Sequence, residues 1–547
     1  MASSGSLVGD AKFIFVTGGV VSSLGKGIAT ASIGLILKQM GYRVILKKLD
    51  PYLNIDPGTM NPTQHGEVFV TEDGMECDLD LGHYERFTGI NTNVDNNITS
   101  GKIYQTLIEN ERKGKYLGAT VQTIPHVTNL IKEFIYRKSD MHDFVLCEIG
   151  GTVGDIEALP FFESIRQIKQ QFKHRTAFIH LTYVPFLESS KEIKTKPTQH
   201  SVKELMSIGI VPDILICRSS VKIGKENKRK IALFCNVDES AVIEALDVDN
   251  VYSIPIHYAK QGIHRSILSA VGIAAAPQEP DLSKLETLLH SYSHVKKIIN
   301  IGIAGKYTSY KDSYKSIIEA ISHAGMHIGA VPQIHWINTK LLDEKEITSE
   351  LDGLDCLVIP GGFGVDGTVG KMRVIKYARE QNVPTLGICF GMQLMLIEVA
   401  KNILEIKNAT SEELDKDGSG EHVIGLISSF EKNGVLERRT KDSNLGGTMR
   451  LGRYEAVLRP NSLTAKIYGA ESIFERHRHR YEADVKYMEE FSKHGIVFAG
   501  LSPDGKLPEI VENKNCKFFI GVQFHPELKS KLLEPHPLFL ELLKSAK

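Results

Sequence analysis

The segment GICFGMQ, residues 387–393, places Cys389 between two glycines immediately after the apolar run VPTLGI. The apolar run LMLIEVA follows, so the order predicts a strand, a sharp turn and a helix. Such an elbow exposes a nucleophile, and the N-terminus of the following helix favours the thiolate over the thiol. This motif alone leaves a buried structural cysteine as an alternative.

Two distant segments supply partners for this thiol. GVQFHPE contains His525 and Glu527, which lie two residues apart and so point the same way in an extended chain. The carboxylate could orient the imidazole while the imidazole faces the thiol. The glycines of VIPGGFG, residues 358–364, leave backbone N–H groups available for an oxyanion hole. Together these segments predict acyl transfer through a cysteine thioester.

A further segment, ERHRHRYE at 475–482, is basic and rich in histidine. It is too short for a nucleic-acid site, and we expect one of its arginines to bind a carboxylate.

Near the start, FIFVTGGVVSSLGKGIATAS at 13–32 predicts a strand, a glycine-rich loop and a helix. Loop N–H groups, the helix N-terminus and a lysine can together bind phosphates. The spacing departs from the usual phosphate loop, because five residues separate Gly19 from Gly25 and Gly27 replaces the magnesium-binding hydroxyl. A plain glycine-rich turn is the alternative.

Carboxylates follow in two places. EDGMECDLDLGHYERF contains Asp78 and Asp80, and DFVLCEIGGTVGDIE ends an apolar strand in Glu148 before Asp155 and Glu157. Carboxylates at strand ends that face a phosphate loop are what a magnesium–nucleotide site requires. A solvated acidic loop is the alternative for Asp78 and Asp80.

A basic segment, KEIKTKPTQHSVKEL, places Lys194 and Lys196 just before a Pro-Thr helix start. Cations and a helix N-terminus would converge there on an anion, although a solvated run of charges is the alternative.

The elements that position these residues alternate between short apolar strands and longer amphipathic helices. This order predicts an α/β fold with two doubly wound parallel-sheet domains. An Ala/Pro stretch near residue 274 interrupts the pattern, which restarts at IINIGIAGKY. We therefore expect a first domain at 1–275, a linker at 276–298 and a second domain at 299–547.

The composition restricts the class of protein. The chain has 547 residues, 42% of them hydrophobic and 24% charged, with a net charge of −1. This balance does not favour a nucleic-acid or membrane partner. No apolar run approaches the roughly 20 residues of a spanning helix, and the start does not resemble a signal peptide. Seven scattered cysteines without a C-x-x-C motif favour a reducing compartment, so we expect a cytoplasmic protein.

From end to end the chain resembles the CTP synthase family. The stretches that carry the resemblance occur in the family's order: FVTGGVVSSLGKG, KLDPYLNIDPGTMNPTQHGEVFVTEDG, DLDLGHYERF, EIGGTVGDIE, KTKPTQHSV, IALFCNV, PGGFG, GICFGMQ, GTMRLG, RHRHRYE and FHPE. The resemblance implies a P-loop-like synthetase domain and a class I glutamine amidotransferase domain. It also implies the last step of de novo CTP synthesis, in which ATP drives amination of UTP with ammonia from glutamine.

The resemblance implies a role for each matching residue. Cys389 matches the nucleophile, His525 its base and Glu527 the acid that orients the base. Residues that match the glutamine site are Gly362, Phe390, Gln393, Glu413 and Arg480. Residues that match the triphosphate and magnesium sites are Ser22, Ser23, Leu24, Gly25, Lys26, Gly27, Ile28, Lys48, Asp80 and Glu148. Residues that match the pyrimidine-nucleotide site are Asp155, Ile156, Glu157, Lys194, Lys196, Gln199 and Lys230, and Asp247 matches a contact to ATP.

The resemblance also implies Mg²⁺, ATP as co-substrate, GTP as allosteric activator, CTP as feedback inhibitor and a homotetramer that can form filaments. One position departs from the family: Asp366 follows GGFG where an arginine linked to GTP activation is usual. Lys315 and GTMRLG are retained.

Two other functions are open. One is an amidoligase acting on a carboxylate, against which KTKPTQ and GGTVGDIE argue, since the family uses them for nucleotides. The other is a nucleotide-switched scaffold with an inactive amidotransferase domain, against which the intact Cys389, His525 and Glu527 argue.

Overall fold

The computed structural model describes residues 8–19, 24–273, 278–426, 429–432, 435–438 and 449–546. Ser22 and Ser23 of the predicted phosphate loop, residues 276 and 277 of the predicted linker, and residues 447 and 448 of GTMRLG lie outside these ranges. The chain packs as two compact units: Met1–Pro57 with Asp80–Leu289, and Gly58–Leu79 with His290–Lys547. We call them the first and the second unit.

Up to residue 289 the strands are β1 (Lys12–Gly18), β2 (Val44–Asp50), β3 (Phe69–Val70), β4 (Glu76–Cys77), β5 (Asn97–Thr99), β6 (Phe144–Ile149), β7 (Thr176–Tyr183), β8 (Phe186–Leu187), β9 (Glu192–Ile193), β10 (Ile214–Ser219) and β11 (Val242–Leu246). The helices that begin in this part are α1 (Lys26–Gln39), α2 (Pro62–His65), α3 (Asp80–Thr88), α4 (Ser100–Arg112), α5 (Thr128–Tyr136), α6 (Leu159–Gln171), α7 (Lys196–Ser207), α8 (Gly224–Cys235), α9 (Ile254–Lys260), α10 (Ile263–Ala270) and α11 (Ser283–Ser293).

The first unit is built on a seven-stranded parallel sheet with the order β11-β10-β7-β1-β6-β2-β5. Every residue of β2 and β6 is buried, as expected for parallel strands covered on both faces. Because β1, β6 and β2 are neighbours, the residues at their carboxyl ends meet at one edge of the sheet. Lys48 of β2 is the register partner of Glu148 of β6. This edge is where open α/β sheets bind ligands.

Beyond residue 289 the strands are β12 (Ile298–Gly305), β13 (Val331–Asn338), β14 (Cys356–Ile359), β15 (Thr385–Ile388), β16 (Ala409–Ser411), β17 (Glu421–Leu426), β18 (Ser429–Lys432), β19 (Val435–Arg438), β20 (Arg450–Leu458), β21 (Ser472–His479), β22 (Tyr481–Ala483), β23 (Ile496–Leu501), β24 (Pro508–Asn513) and β25 (Phe519–Val522). The helices are α12 (Lys315–Ile328), α13 (Ile347–Leu351), α14 (Thr368–Glu380), α15 (Phe390–Asn402), α16 (Leu463–Tyr468), α17 (Met488–Lys493) and α18 (Pro537–Lys544).

The second unit is built on a nine-stranded sheet with the order β13-β12-β14-β15-β25-β24-β23-β20-β21. The first five strands of this order are parallel, and the pairs from β25 onward are antiparallel. The loops that follow β14, β15 and β25 leave the same edge of the sheet, because these three parallel strands are neighbours. The predicted α/β fold is confirmed, with an antiparallel extension on the second sheet.

Residues 58–79 belong by packing to the second unit, although they lie within the predicted first domain. This segment contains α2, β3 and β4, and its residues Phe69, Val70 and Cys77 are buried. Three ion pairs hold it: Glu72 with Arg476 at 2.8 Å and with Arg453 at 3.7 Å, and Glu76 with Arg478 at 2.8 Å. The basic strand β21 therefore binds carboxylates of this segment.

The predicted linker at 276–298 is largely occupied by α11, and the division between the two units falls inside that helix. Among the described residues, we find no helix with the length and apolar character needed to cross a membrane.

Candidate functional site

Cys389 lies at the turn between β15 and α15, with φ 53° and ψ −106°. A residue other than glycine rarely adopts a positive φ, and such strain typically costs 1–3 kcal/mol. The side chain is 3% exposed, and its Sγ lies 3.7 Å from Nε2 of Gln523 and 3.8 Å from the carbonyl oxygen of Arg478. The turn thus holds the thiol at the N-terminus of α15, next to unpaired helical N–H groups.

The glycines around Cys389 are required by close packing. A Cβ atom on Gly391 would lie 2.1 Å from the carbonyl oxygen of Ile359, and one on Gly387 would lie 2.6 Å from Sδ of Met395. Because the first of these neighbours is backbone, it cannot rotate away. The glycines of GICFGMQ therefore allow α15 to start directly against β14.

His525 follows β25 and is oriented by Glu527. Its Nδ1 lies 2.7 Å from Oε1 of Glu527, and its backbone N–H donates to the carbonyl oxygen of Arg476 at 2.8 Å. A Cβ atom on Gly361 would lie 3.8 Å from Nε2 of His525 and 3.6 Å from Cβ of Cys389. The thiol and the imidazole therefore flank the same glycine. Nε2 itself is buried and has no hydrogen-bond partner among the described residues.

The charges around His525 favour its protonated form. Burial by itself would lower the pKa of His525, but the carboxylate of Glu527 and the thiolate of Cys389 outweigh burial and raise the pKa to about 10. The imidazole of His525 is thus protonated at neutral pH, and its proton can be given to a leaving group.

A cavity of about 330 Å³ opens in front of this pair. Cys389, His525, Gly361 and Arg480 line it, and residues 58–68 contribute Gly58, Met60, Pro62, Glu67 and Val68. Its volume is at the small end of the range for ligand pockets, which suits an amino acid. One wall of the cavity is therefore a segment from the amino-terminal part of the sequence.

The residues predicted to bind glutamine divide into two groups. Gly362 and Arg480 line the cavity. Phe390, Gln393 and Glu413 are not among the described residues that line it. Gln393 donates to the carbonyl oxygen of Tyr481 at 2.8 Å, and Glu413 accepts the N–H of Gly364 at 2.7 Å.

In the first unit, Lys48 lies among three carboxylates. Its Nζ donates to Oδ2 of Asp80, lies 3.0 Å from Oε1 of Glu148 and lies 3.7 Å from Oδ1 of Asp50. The Tyr84 hydroxyl donates to Oε2 of Glu148 at 2.5 Å. Burial raises the pKa of Asp50 to about 6, against the opposing effect of Lys48. The sequence analysis did not include Asp50 in the site. The signal was present, because Asp50 is an acid at the end of strand β2, just as Glu148 is an acid near the end of strand β6.

The predicted phosphate loop leads into this cluster. Gly25 has φ 92° and precedes α1, which begins at Lys26. Nζ of Lys26 donates to the carbonyl oxygen of Gly151 at 2.5 Å, and burial lowers its pKa while the charge of Glu148 opposes that effect. A Cβ atom on Gly27 would lie 2.1 Å from Oδ1 of Asp80, so the glycine makes room for this carboxylate. Leu24 is buried, and Ile28 is half-buried in the first turn of α1.

The donor set is suited to magnesium only together with a substrate. No group of three or more metal-ligating side chains in the described part of the chain could hold an ion alone. Asp80 and Glu148 are hard oxygen donors, and Mg²⁺ commonly binds one or two carboxylates plus phosphates and water. Asp78 lies in the 58–79 segment, where its Oδ1 accepts the N–H of Leu79 at 2.7 Å.

Three predicted nucleotide-binding lysines meet in an open groove of about 1090 Å³. Lys194, Lys196 and Lys230 line this groove together with Lys191 and Lys222. Lys194 is paired with Glu192. Five lysines around one groove create the positive potential that a polyphosphate requires.

The other residues predicted for that nucleotide are not among the described residues that line the groove. Asp155 accepts hydrogen bonds from the backbone and hydroxyl of Thr152 at 2.7 and 2.8 Å. Ile156 and Glu157 are exposed on the turn before α6, and Gln199 lies in the first turn of α7.

Asp247 pairs with Arg218, whose Nε lies 3.2 Å from its Oδ1. A Cβ atom on Gly25 would lie 3.9 Å from Nη1 of the same arginine. Arg218 thus connects Asp247 with the end of the phosphate loop. Sequence reasoning missed it, although a cation in the last residues of strand β10 is a detectable signal.

Comparisons with known proteins cover nearly the whole chain. Residues 12–273 match the family described as CTP synthase N-terminus, and residues 309–545 match glutamine amidotransferase class-I. The chain is 53% identical to CTP synthase from Brucella melitensis biotype 1, over 98% of both chains. It is also 53% identical to CTP synthase from Methylobacterium radiotolerans, over 96% of this chain and 97% of that one.

Among solved structures, the chain is similar to the Trypanosoma brucei CTPS glutaminase domain with bound acivicin. The identity is 30% and the TM-score 0.41, over 45% of this chain and 93% of that domain.

The raised pKa of His525 leads to a test by pH. The imidazolium of the wild type persists up to about pH 10, so glutamine hydrolysis keeps its proton donor below that pH. In Glu527→Gln the carboxylate charge is lost and the pKa of His525 falls. We expect the alkaline limb of kcat/KM for glutamine to move down by about one pH unit or more. Glu534→Gln, at an exposed acid, serves as the control. An unmoved alkaline limb in Glu527→Gln would contradict the assignment.

Proposed function

The chain belongs to the CTP synthase family, and we propose that its two units divide the reaction between a glutaminase site at Cys389 and a phosphoryl-transfer site at Lys26 and Lys48. The protein is a glutamine-hydrolysing ligase that converts UTP to CTP. The observation that carries the division of roles is the pairing of Cys389 with His525 and Glu527 around Gly361.

At the glutaminase site, Sγ of Cys389 attacks the side-chain carbonyl carbon of glutamine, and a C–S bond forms. The carbonyl oxygen becomes negative and accepts hydrogen bonds from the backbone N–H groups at Gly361 and Gly362. As the C–N bond breaks, the His525 imidazolium gives its proton to the departing nitrogen, and ammonia leaves. His525 then takes a proton from water, which attacks the thioester and releases glutamate.

Arg480 is suited to bind the α-carboxylate of glutamine, because its guanidinium is a permanent cation at the cavity wall. Phe390, Gln393 and Glu413 remain candidates for further contacts to glutamine. Burial raises the pKa of Glu413, and the N–H of Gly364 opposes this effect.

At the phosphoryl-transfer site, O4 of UTP attacks the γ-phosphorus of ATP and ADP leaves. Lys26 and Lys48 stabilise the negative charge on the transferring group. Ammonia then forms a bond to C4 and the phosphate leaves. Asp80 and Glu148 would hold Mg²⁺, which when bound neutralises phosphate charge. Gly25 and its neighbours in the loop bind the triphosphate through backbone N–H groups.

The lysine groove is suited to the triphosphate of a pyrimidine nucleotide. Lys194, Lys196 and Lys230 support this role by their convergence. UTP and CTP carry the same triphosphate, so CTP competes there as the feedback inhibitor. Asp155, Ile156, Glu157 and Gln199 are candidates for contacts to the rest of the nucleotide. Asp247, through Arg218, is a candidate for contacts to ATP.

GTP is proposed as an activator despite Asp366. This carboxylate is exposed and pairs with Lys340 at 3.1 Å, which lowers its pKa. The pair leaves a cation, Lys340, near the position where the family usually has arginine. The nucleotide contact is therefore weaker than with arginine, since the adjacent acid offsets the charge.

We also propose a cytoplasmic homotetramer that can assemble into filaments. Nucleotide substrates support the cytoplasm, and the resemblance to the family supports the assembly.

Cys389→Ala is expected to abolish CTP synthesis from glutamine and to retain synthesis from ammonium, because only the first nitrogen source needs the thiol. CTP formation from UTP, ATP and magnesium is measured spectrophotometrically with each source. Cys516→Ala, at a cysteine that does not line the cavity, should retain both activities. Loss of both activities in Cys389→Ala, or no UTP conversion in the wild type, would contradict the proposal.

Lys26→Ala is expected to reduce synthesis from either nitrogen source by roughly 100-fold or more, because phosphoryl transfer precedes both. The same assay measures it. Lys38→Ala, at an exposed lysine of the same helix, is the matched control. Strong ammonium-driven turnover in Lys26→Ala would refute the assignment of the loop.

Asp366→Arg is expected to lower the GTP concentration for half-maximal activation of glutamine hydrolysis by about fivefold, because it replaces an opposing charge by a favourable one. Asp352→Arg, at an exposed acid before β14, controls for added surface charge. An equal shift in both variants would exclude a local role for Asp366.

A further inference from the structure

A buried lysine binds carbonyl oxygens of the loop that follows β14. Lys371, in the first turn of α14, is 2% exposed. Its Nζ donates to the carbonyl oxygen of Pro360 at 2.7 Å and lies 3.4 Å from that of Gly361. These carbonyls belong to the two peptides that adjoin Cys389 and His525.

A buried ammonium is costly unless its hydrogen bonds compensate for lost water. The ring of Phe390 lies 5.6 Å from Nζ, and the hydrogen bonds of Lys371 go to carbonyls rather than to a carboxylate. Burial, and to a smaller extent the charge of Lys306, lower the pKa of Lys371 to about 7. Even a neutral amine keeps N–H donors, so the contact to the loop does not require the charge.

Because a peptide group is planar, the contact of Lys371 with these carbonyls also fixes the direction in which the N–H groups of Gly361 and Gly362 point. In a planar trans peptide the C=O and the following N–H point to opposite sides. When Lys371 binds the carbonyl of Pro360, the N–H of Gly361 points away from the lysine, and the same holds for the carbonyl of Gly361 and the N–H of Gly362. Gly361 and Gly362 line the cavity together with Cys389.

Other side chains fix the far end of the same loop. Nζ of Lys306 donates to the carbonyl oxygen of Phe363, and Glu413 accepts the N–H of Gly364. Among the described residues, the side chain that binds the carbonyls of the two peptides next to the thiol is Lys371. Gly362 has φ 154° and no Cβ, so its peptides could rotate more freely than those of other residues.

We propose that Lys371 is a positioning residue of the oxyanion hole, which keeps the N–H groups of Gly361 and Gly362 turned toward the carbonyl oxygen that Cys389 makes negative. This inference rests on the proposed glutaminase role of Cys389. Lys371 does not touch the substrate, and its effect reaches the reaction through the loop.

The test compares Lys371→Met with the wild type in three assays. We expect kcat for glutamine hydrolysis to fall about 30-fold, below the 10²–10³-fold loss of a complete oxyanion donor, with KM changed less than about threefold. Ammonium-driven CTP synthesis should be unchanged. Alkylation of Cys389 by iodoacetamide, which displaces iodide and forms no oxyanion, should slow less than about threefold.

Lys371→Gln is the conservative variant, because its neutral amide retains N–H donors for the loop. We expect its kcat for glutamine to lie between those of the wild type and Lys371→Met. If Lys371→Met fails to fold, Lys371→Gln is compared with the wild type in the same three assays. Lys376→Met, at an exposed lysine of the same helix, is the matched control.

A parallel fall in alkylation and in glutamine turnover would overturn the inference, because Lys371 would then act through the charge of the thiol. Equal kcat values in Lys371→Gln and Lys371→Met would also overturn it. The absence of glutamine hydrolysis in the wild type would instead contradict the proposed function, so the two failures are distinguishable.

Discussion

The positive φ at Cys389 is the constraint on which the glutaminase site of the second unit depends. A residue with φ 53° between β15 and α15 places the thiol at the edge of the sheet, and the glycines on either side of it leave room for the neighbouring atoms that come very close there. Three adjacent parallel strands bring the residues of the site to this turn. β15 leads into Cys389, β14 leads into Gly361 and Gly362, and β25 leads into His525. The strain of the turn is held by strand pairing rather than by the residue itself.

The two units treat a buried lysine in different ways. In the first, Lys48 is surrounded by carboxylates, so its charge is balanced and a phosphate must compete with or join these acids. In the second, Lys371 binds carbonyl oxygens, and no acid in the described part of the chain lies at hydrogen-bond distance to balance its charge. The first arrangement suits a site that exchanges charged ligands. The second suits a fixed scaffold, since carbonyls bound to a lysine cannot turn without leaving it unsatisfied.

Much of this organisation can be predicted from the sequence, because it is local. Strand, turn and helix around Cys389 follow from apolar runs and glycines, and the alternation of elements predicts both sheets. What could not be predicted depends on packing between distant segments. Asp50 and Arg218 join their clusters only because particular strands are neighbours, and Lys371 has the pattern of an ordinary helical lysine. The placement of residues 58–79 in the second unit has no local signal at all, since a short strand pair is compatible with either unit.

That placement has a consequence for how the chain is made. Residues 58–79 are synthesised early, whereas Arg476, which donates to the carbonyl oxygen of Val70 and lies over the ring of Phe69, comes more than 400 positions later. A growing chain must therefore keep this segment unpacked until translation is nearly complete, and the cavity beside Cys389 gains its last wall only then. A cut at the apparent boundary near residue 290 would give a carboxy-terminal fragment without that wall. The glutaminase cavity thus belongs to the finished polypeptide rather than to one contiguous half of it.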